Sequence, residues 1–151
     1  MSAARAHGSC THSCEEGVRQ IGAQSFEDCS FFGELVLPPS LLTIGESAFR
    51  NTKITNILFN DELLVIGAKA FQRTRITELN LPETVTTIME ESFANCDMLS
   101  EIVLHKDVSL IQKNAFSGCH QLSRFVCNAL VPPVTDEGAF NNMPKANLIV
   151  N

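Results

Sequence analysis

Tryptophan and tyrosine are both missing from this 151-residue chain, yet it holds ten phenylalanines. Such heavy use of one aromatic points to a single structural demand met repeatedly. No apolar run approaches the roughly 20 residues a membrane-spanning helix needs, so membrane insertion is not expected. The N-terminal MSAARAHGSCTHSCEEG shows no apolar h-region of a secretory signal. Asn-x-Ser/Thr acceptor sites are lacking too. Positive charge is scarce: 11 basic residues face 17 acidic ones, and the net charge of −6 argues against nucleic acid or an anionic membrane as the main partner. P-loop, G-x-G-x-x-G, G-x-S-x-G and H-E-x-x-H motifs are all absent.

What is present is a repeat. Phenylalanines fall at 26, 49, 71, 93, 116 and 140, in steps of 22 to 24 residues. Ile21, Ile44, Ile66, Ile88 and Ile111 stand five residues earlier, and Val18, Leu41, Leu63, Val85 and Val108 three before those. Downstream run the columns Phe32, Ile54, Ile76, Leu99, Leu122; then Leu35, Ile57, Leu79, Ile102, Phe125; then Leu37, Phe59, Leu81, Leu104, Cys127. The residue before each phenylalanine is always small: Ser25, Ala48, Ala70, Ser92, Ala115 and Ala139.

A unit of this size cannot bury its own apolar face, so the units are expected to stack as a solenoid of about six coils. Pairs such as Leu35/Leu37 and Leu79/Leu81 have the period of two of a short strand, and in register these strands form a parallel sheet. The ESAF, AKAF and KNAF segments suit single helical turns. The Ile-Gly pairs at Gly22, Gly45 and Gly67 give way to Met89 and Gln112, so a positive backbone angle is not demanded there.

The segments LPPSLLTIGESAFRNTKIT and LPETVTTIMEESFANCDML are the clearest copies, and their pattern resembles the BspA-like leucine-rich repeat. The closing ALVPPVTDEGAFNNMPKANLIV looks like that family's terminal repeat. The resemblance covers about residues 17–151 and leaves 1–16 as an N-terminal arm or cap, with a divergent terminal repeat at 131–151. It implies a non-enzymatic leucine-rich repeat solenoid with no cofactor, of a kind commonly found in surface or secreted proteins that adhere to host proteins and other cells.

Residues that look like chemistry fit the repeat better. Cys96 follows Glu90 and Glu91, as an acid beside a nucleophile would. Yet Cys29, Cys96 and Cys119 share a column with Thr52 and Thr74, the cysteines in 23-residue coils and the threonines in 22-residue coils. Buried there, a thiol behaves as a small hydrophobe; a Cys96–Cys119 disulfide is the alternative in an oxidising compartment. HGSCTHSC brings His7, Cys10, His12 and Cys14 together, but the spacing fits no standard zinc pattern. His105 and His120 have no fixed acid or nucleophile partner and read as exposed polar positions. No catalytic, metal or cofactor residue is assigned.

Function is therefore sought on a surface. Between each strand's inward pair stands an outward residue: Val36, Leu58, Asn80, Val103, Val126 and Ile149, apolar in five of six cases. Strand propensity is one explanation, and an apolar contact stripe the other. Glu34, Asn56, Glu78, Glu101, Arg124 and Asn147 flank it on one side, Asn60, His105 and Asn128 on the other. The expectation is a protein-binding strand face meeting a partner with basic patches. Self-association through that face or through open solenoid ends is a further expectation. An intracellular scaffold or a structural spacer in a larger protein are the rivals. The compartment stays open, because the family suggests the cell surface and no export signal is visible. Thiol titration of the denatured protein separates the rivals: six reactive thiols indicate a reducing compartment.

Overall fold

Stacked repeats demand that every coil follow one path. The computed structural model describes residues 17–143 and the backbone of 147–150; the expected arm or cap at 1–16, with His7, Cys10, His12 and Cys14, lies outside the described residues. Most coils carry a longer strand, a two-residue strand and a turn. The longer strands are β2 (Phe32–Val36), β4 (Lys53–Leu58), β6 (Glu78–Asn80), β8 (Glu101–Leu104), β10 (Arg124–Cys127) and β12 (Asn147–Val150). The short ones are β1 (Gln20–Ile21), β3 (Thr43–Ile44), β5 (Val65–Ile66), β7 (Thr87–Ile88), β9 (Leu110–Ile111) and β11 (Val134–Thr135). All pairing is parallel, coil on coil, and Phe125 stands between Ile102 and Leu148 in register.

The columns read from the sequence are the core. Leu41, Ile54, Leu63, Phe71, Ile76, Leu99, Ile102, Ile111 and Phe116 are fully buried. Phe26, Phe49, Phe71, Phe93, Phe116 and Phe140 form one column of parallel rings, with centroids 5.2–5.8 Å apart and planes within 13°. Phe59 meets Phe71 edge-on at 6.2 Å, and Phe125 does the same to Phe140 at 5.3 Å. Such stacked and edge-to-face rings add to their area burial.

One column needs correction. Phe32 is 75% exposed, because β2 pairs Gly33 with Ile54 and slips register between Gly33 and Glu34. Phe31 packs on the core instead.

The segments around each phenylalanine are not helical turns; no helix occurs among the described residues. The residues two before and two after each of the six phenylalanines adopt left-handed φ of 53–76°, from Gln24 and Asp28 to Gly138 and Asn142. Alternate N–H groups are thereby turned towards the next coil. Phe26, Phe49, Phe71, Phe93 and Phe116 donate to the carbonyls of Ala48, Ala70, Ser92, Ala115 and Ala139 at 2.8–3.0 Å. This third ladder spans every coil, whereas strand pairing lapses at one level, where among the described residues only Arg75 N–H to Ile54 O and Thr77 N–H to Thr55 O remain on the longer-strand side. β4 is not paired with β6, nor β5 with β7. The glycine column changes there too. A Cβ on Gly45 would lie 2.5 Å from Ala23 N, and one on Gly67 2.7 Å from Gly45 C, so these coils nest closely. The column then passes to Met89, and its N–H makes no bond to Ile66 O among the described residues. Gln112 does bond Ile88 O at 2.9 Å, so a side chain in the column is compatible with the ladder outside the glycine nest.

Two stability predictions follow from this core. Phe71→Ala or Phe93→Ala costs about 3–5 kcal/mol, read by urea unfolding, whereas Phe140→Ala, at a ring 36% exposed, costs about 1–2 kcal/mol. Ser92 is fully buried and its Oγ has no hydrogen-bond partner. Ser92→Ala, the residue most other coils use, therefore stabilises by about 1 kcal/mol in the same assay.

Candidate functional site

The strand face presents the outward residues of β2, β4, β6, β8 and β10. Val36 and Leu58, 48% and 47% exposed, stand side by side in register. Asn80 is exposed and Val103 half-buried. Val126 departs from the expected stripe: it is only 4% exposed, in a strand flanked on both sides by β8 and β12. Ile149 is placed by its backbone alone, paired with Val126. The open apolar ground thus lies in the N-terminal half.

The flanking row is internally paired. Glu34 Oε2 accepts from Asn56 Nδ2 at 2.8 Å, and Arg124 forms an ion pair with Glu101. Arg124 also lies over Glu101 in register, so its cation offsets the stacking of Glu101 on Glu78. Both pairs are surface contacts of modest worth. Glu78 is exposed.

On the opposite flank, Asn60 and His105 hold the scaffold rather than face solvent. Asn60 Nδ2 donates to Leu41 O at 3.0 Å while its Oδ1 accepts from Glu62 N–H. His105 does the equivalent one coil-pair later: Nε2 meets Val85 O at 3.0 Å, and Nδ1 accepts from Asp107 N–H at 3.2 Å. Leu41 and Val85 occupy one core column, so two different side chains make the same bracket. His105 is thus not the exposed polar position expected; His120 is exposed.

A second apolar surface has no counterpart in the sequence reading. Leu130, Val131 and Val134 are 93%, 79% and 67% exposed. With Lys106, Val108 and Pro132 they line a groove of about 320 Å³. The Val-Pro-Pro-Val run within the divergent closing repeat was the available signal.

The sequence pattern of the BspA type leucine rich repeat region matches the chain in six copies over residues 11–147. The chain belongs to this family. A leucine rich cell surface protein of Faecalibacterium prausnitzii is similar with a TM-score of 0.73 and 26% identity, over 77% of this chain and 31% of that one. The T. pallidum leucine rich repeat protein gives a TM-score of 0.61 at 22% identity, over 87% and 76%. A leucine-rich repeat protein of Bacteroides ovatus gives 0.53 at 23%, over 80% and 41%. The latter two likenesses concern the fold alone. The chain spans less than half the length of the first and third of these proteins. No curated protein sequence matches it.

In this BspA type solenoid the cysteine column is structural. Cys96, Cys119 and Cys127 are free, buried thiols. Cys96 Sγ lies 3.3 Å from Phe71 O and from Thr74 Oγ1, and Cys119 Sγ lies 3.3 Å from Phe93 O. Burial pushes the Cys96 thiol up from 9.0 to about 11, against the smaller opposing effect of the Thr74 hydrogen bond. Burial pushes Cys119 up further, with Cys96 adding to it. Neither thiol forms the thiolate that nucleophilic attack requires near neutral pH. Glu91 is turned away to the surface, where Oε2 accepts from Gln72 Nε2 at 2.6 Å. No group of three His, Cys, Asp or Glu suited to a metal occurs among the described residues. Nor is any described helix long and apolar enough to cross a membrane.

The buried thiol gives a signed pH effect. Above pH 9.0 the unfolded chain ionises Cys96 first, so folding stability falls as pH rises towards about 11. Cys96→Ala lowers stability at neutral pH but removes part of this alkaline loss, measured as ΔG of unfolding against pH. An unchanged alkaline slope contradicts the assignment.

Proposed function

We propose that the chain is a non-enzymatic protein–protein interaction module that binds through its strand face, within a surface or secreted adhesion protein. One observation carries this reading: Val36 and Leu58 are each nearly half exposed on adjacent strands, although an outward strand position makes no demand for an apolar residue. A rigid sheet bearing adjoining apolar side chains with a carboxylate row beside them suits a partner that offers an apolar patch and basic groups. Family membership supports the same reading, since leucine-rich repeats generally serve as interaction modules. The cell-surface part leans on the F. prausnitzii protein, which is described as a cell surface protein. The buried free thiols Cys96 and Cys119 favour a second reading, an intracellular scaffold using the same face.

The test is to select peptides from a phage-displayed library on the wild-type protein, then measure their binding to Val36→Asp/Leu58→Asp. The variant is expected to unfold like the wild type and to bind at least about tenfold more weakly. Equal binding removes the strand face as the site.

A further inference from the structure

Several exposed polar side chains of successive coils lie over a complementary partner. Arg50 pairs with Glu27 at 2.6 Å, Asn51 with Asp28 at 2.7 Å, Asn56 with Glu34, and Arg124 with Glu101. Lys53 and Arg75 have no such partner among the described residues. Lys53 opens β4 just before Ile54, and Arg75 stands just before Ile76 in the same sequence column one coil later. Arg73 stands two residues before Arg75, in the left-handed turn position at φ 59°. All three cations are exposed, and none has a side-chain hydrogen bond or ion pair among the described residues. Like charges at one column position of neighbouring coils oppose folding, and no carboxylate among the described residues pairs with these three. Directly in register with Lys53 stands Phe32, 75% exposed.

We propose that Phe32, Lys53, Arg73 and Arg75 form a docking surface for an acidic peptide segment carrying one apolar side chain. The segment's carboxylates meet the three cations, and its apolar side chain covers the Phe32 ring, which no packing among the described residues explains. The site lies at the opposite end of β2 and β4 from Val36 and Leu58, so it does not depend on the apolar stripe being used. Charge distribution favours a peptide over a nucleic acid or sulfated polysaccharide. Duplex DNA carries a charge about every 1.7 Å, and a polyanion leaving this patch meets the exposed carboxylates of Glu34, Glu78 and Asp97 on a chain of net charge −6. A short acidic segment spans fewer of them.

The test uses a fluorescein-labelled Glu-rich peptide with one central Phe, read by anisotropy, with heparin and duplex DNA as parallel probes. Wild type is expected to bind the peptide, about tenfold more weakly when salt rises from roughly 50 to 300 mM. Lys53→Glu/Arg75→Glu loses at least about tenfold. Phe32→Ser loses less, through the apolar contact. Arg19→Glu/Lys113→Glu, with the same change of net charge at distant exposed sites, and Val36→Asp/Leu58→Asp both bind as wild type. Thermal unfolding confirms that each variant is folded. The proposal is overturned if the peptide does not bind, or if the Arg19/Lys113 variant loses as much. Tighter binding of heparin or DNA through Lys53 and Arg75 overturns it too. So does a wild-type dimer, in sedimentation, that Lys53→Glu/Arg75→Glu dissolves.

Discussion

Everything in this protein rests on the contact between one coil and the next. A repeat of 22–24 residues has too little chain to enclose an apolar core, so each phenylalanine is covered by the phenylalanines above and below it. That requirement sets the surrounding details. The residue before the ring must be small, and the flanking residues must be left-handed so that alternate N–H groups reach the next coil. The turn ladder and the ring column run unbroken where strand pairing lapses, and with the Arg75 N–H to Ile54 O and Thr77 N–H to Thr55 O bonds they join the two halves at that level. Gln72 reinforces them by linking Arg50 to Glu91 across three coils.

Much of this was legible as recurrence. Ile44, Ile66, Ile88 and Ile111, or Leu41, Leu63, Val85 and Val108, repeat because each occupies the same buried place, and the structure finds them buried. What escaped was whatever depends on departures from the average coil. Phe32 shares its column by counting, yet a slip beside Gly33 turns it out to solvent. Val126 alternates like Val36, yet it is buried. The turns read as helical because small and polar residues around a phenylalanine suit one helical turn. Asn51, Asn95, Asn114 and Asn142, with Gly118 and Gly138, were the available hint, since Asn and Gly tolerate positive φ. The glycines at 45 and 67 are kept for close approach of backbones, a three-dimensional demand that spacing does not reveal.

Function on such a scaffold is a matter of which outward residues are not consumed by it. Asn60 and His105 are consumed, as brackets between coils, and the cysteine column is consumed as core. Val36, Leu58, Phe32, Lys53 and Arg75 are not. They cluster on β2, β4 and the next coil, in the N-terminal half, while Leu130, Val131 and Val134 are left exposed in the C-terminal half.

Native-state amide hydrogen exchange tests the central claim, that each coil is stabilised by its neighbours, most directly. In wild type the amides of Phe71 and Phe93, bonded to Ser92 O and Ala115 O, are predicted to exchange only with global unfolding. With Phe71→Ala, protection is predicted to fall at Phe49 and Phe93 as much as at residue 71. Loss confined to the coil containing residue 71, with its neighbours fully protected, contradicts the account.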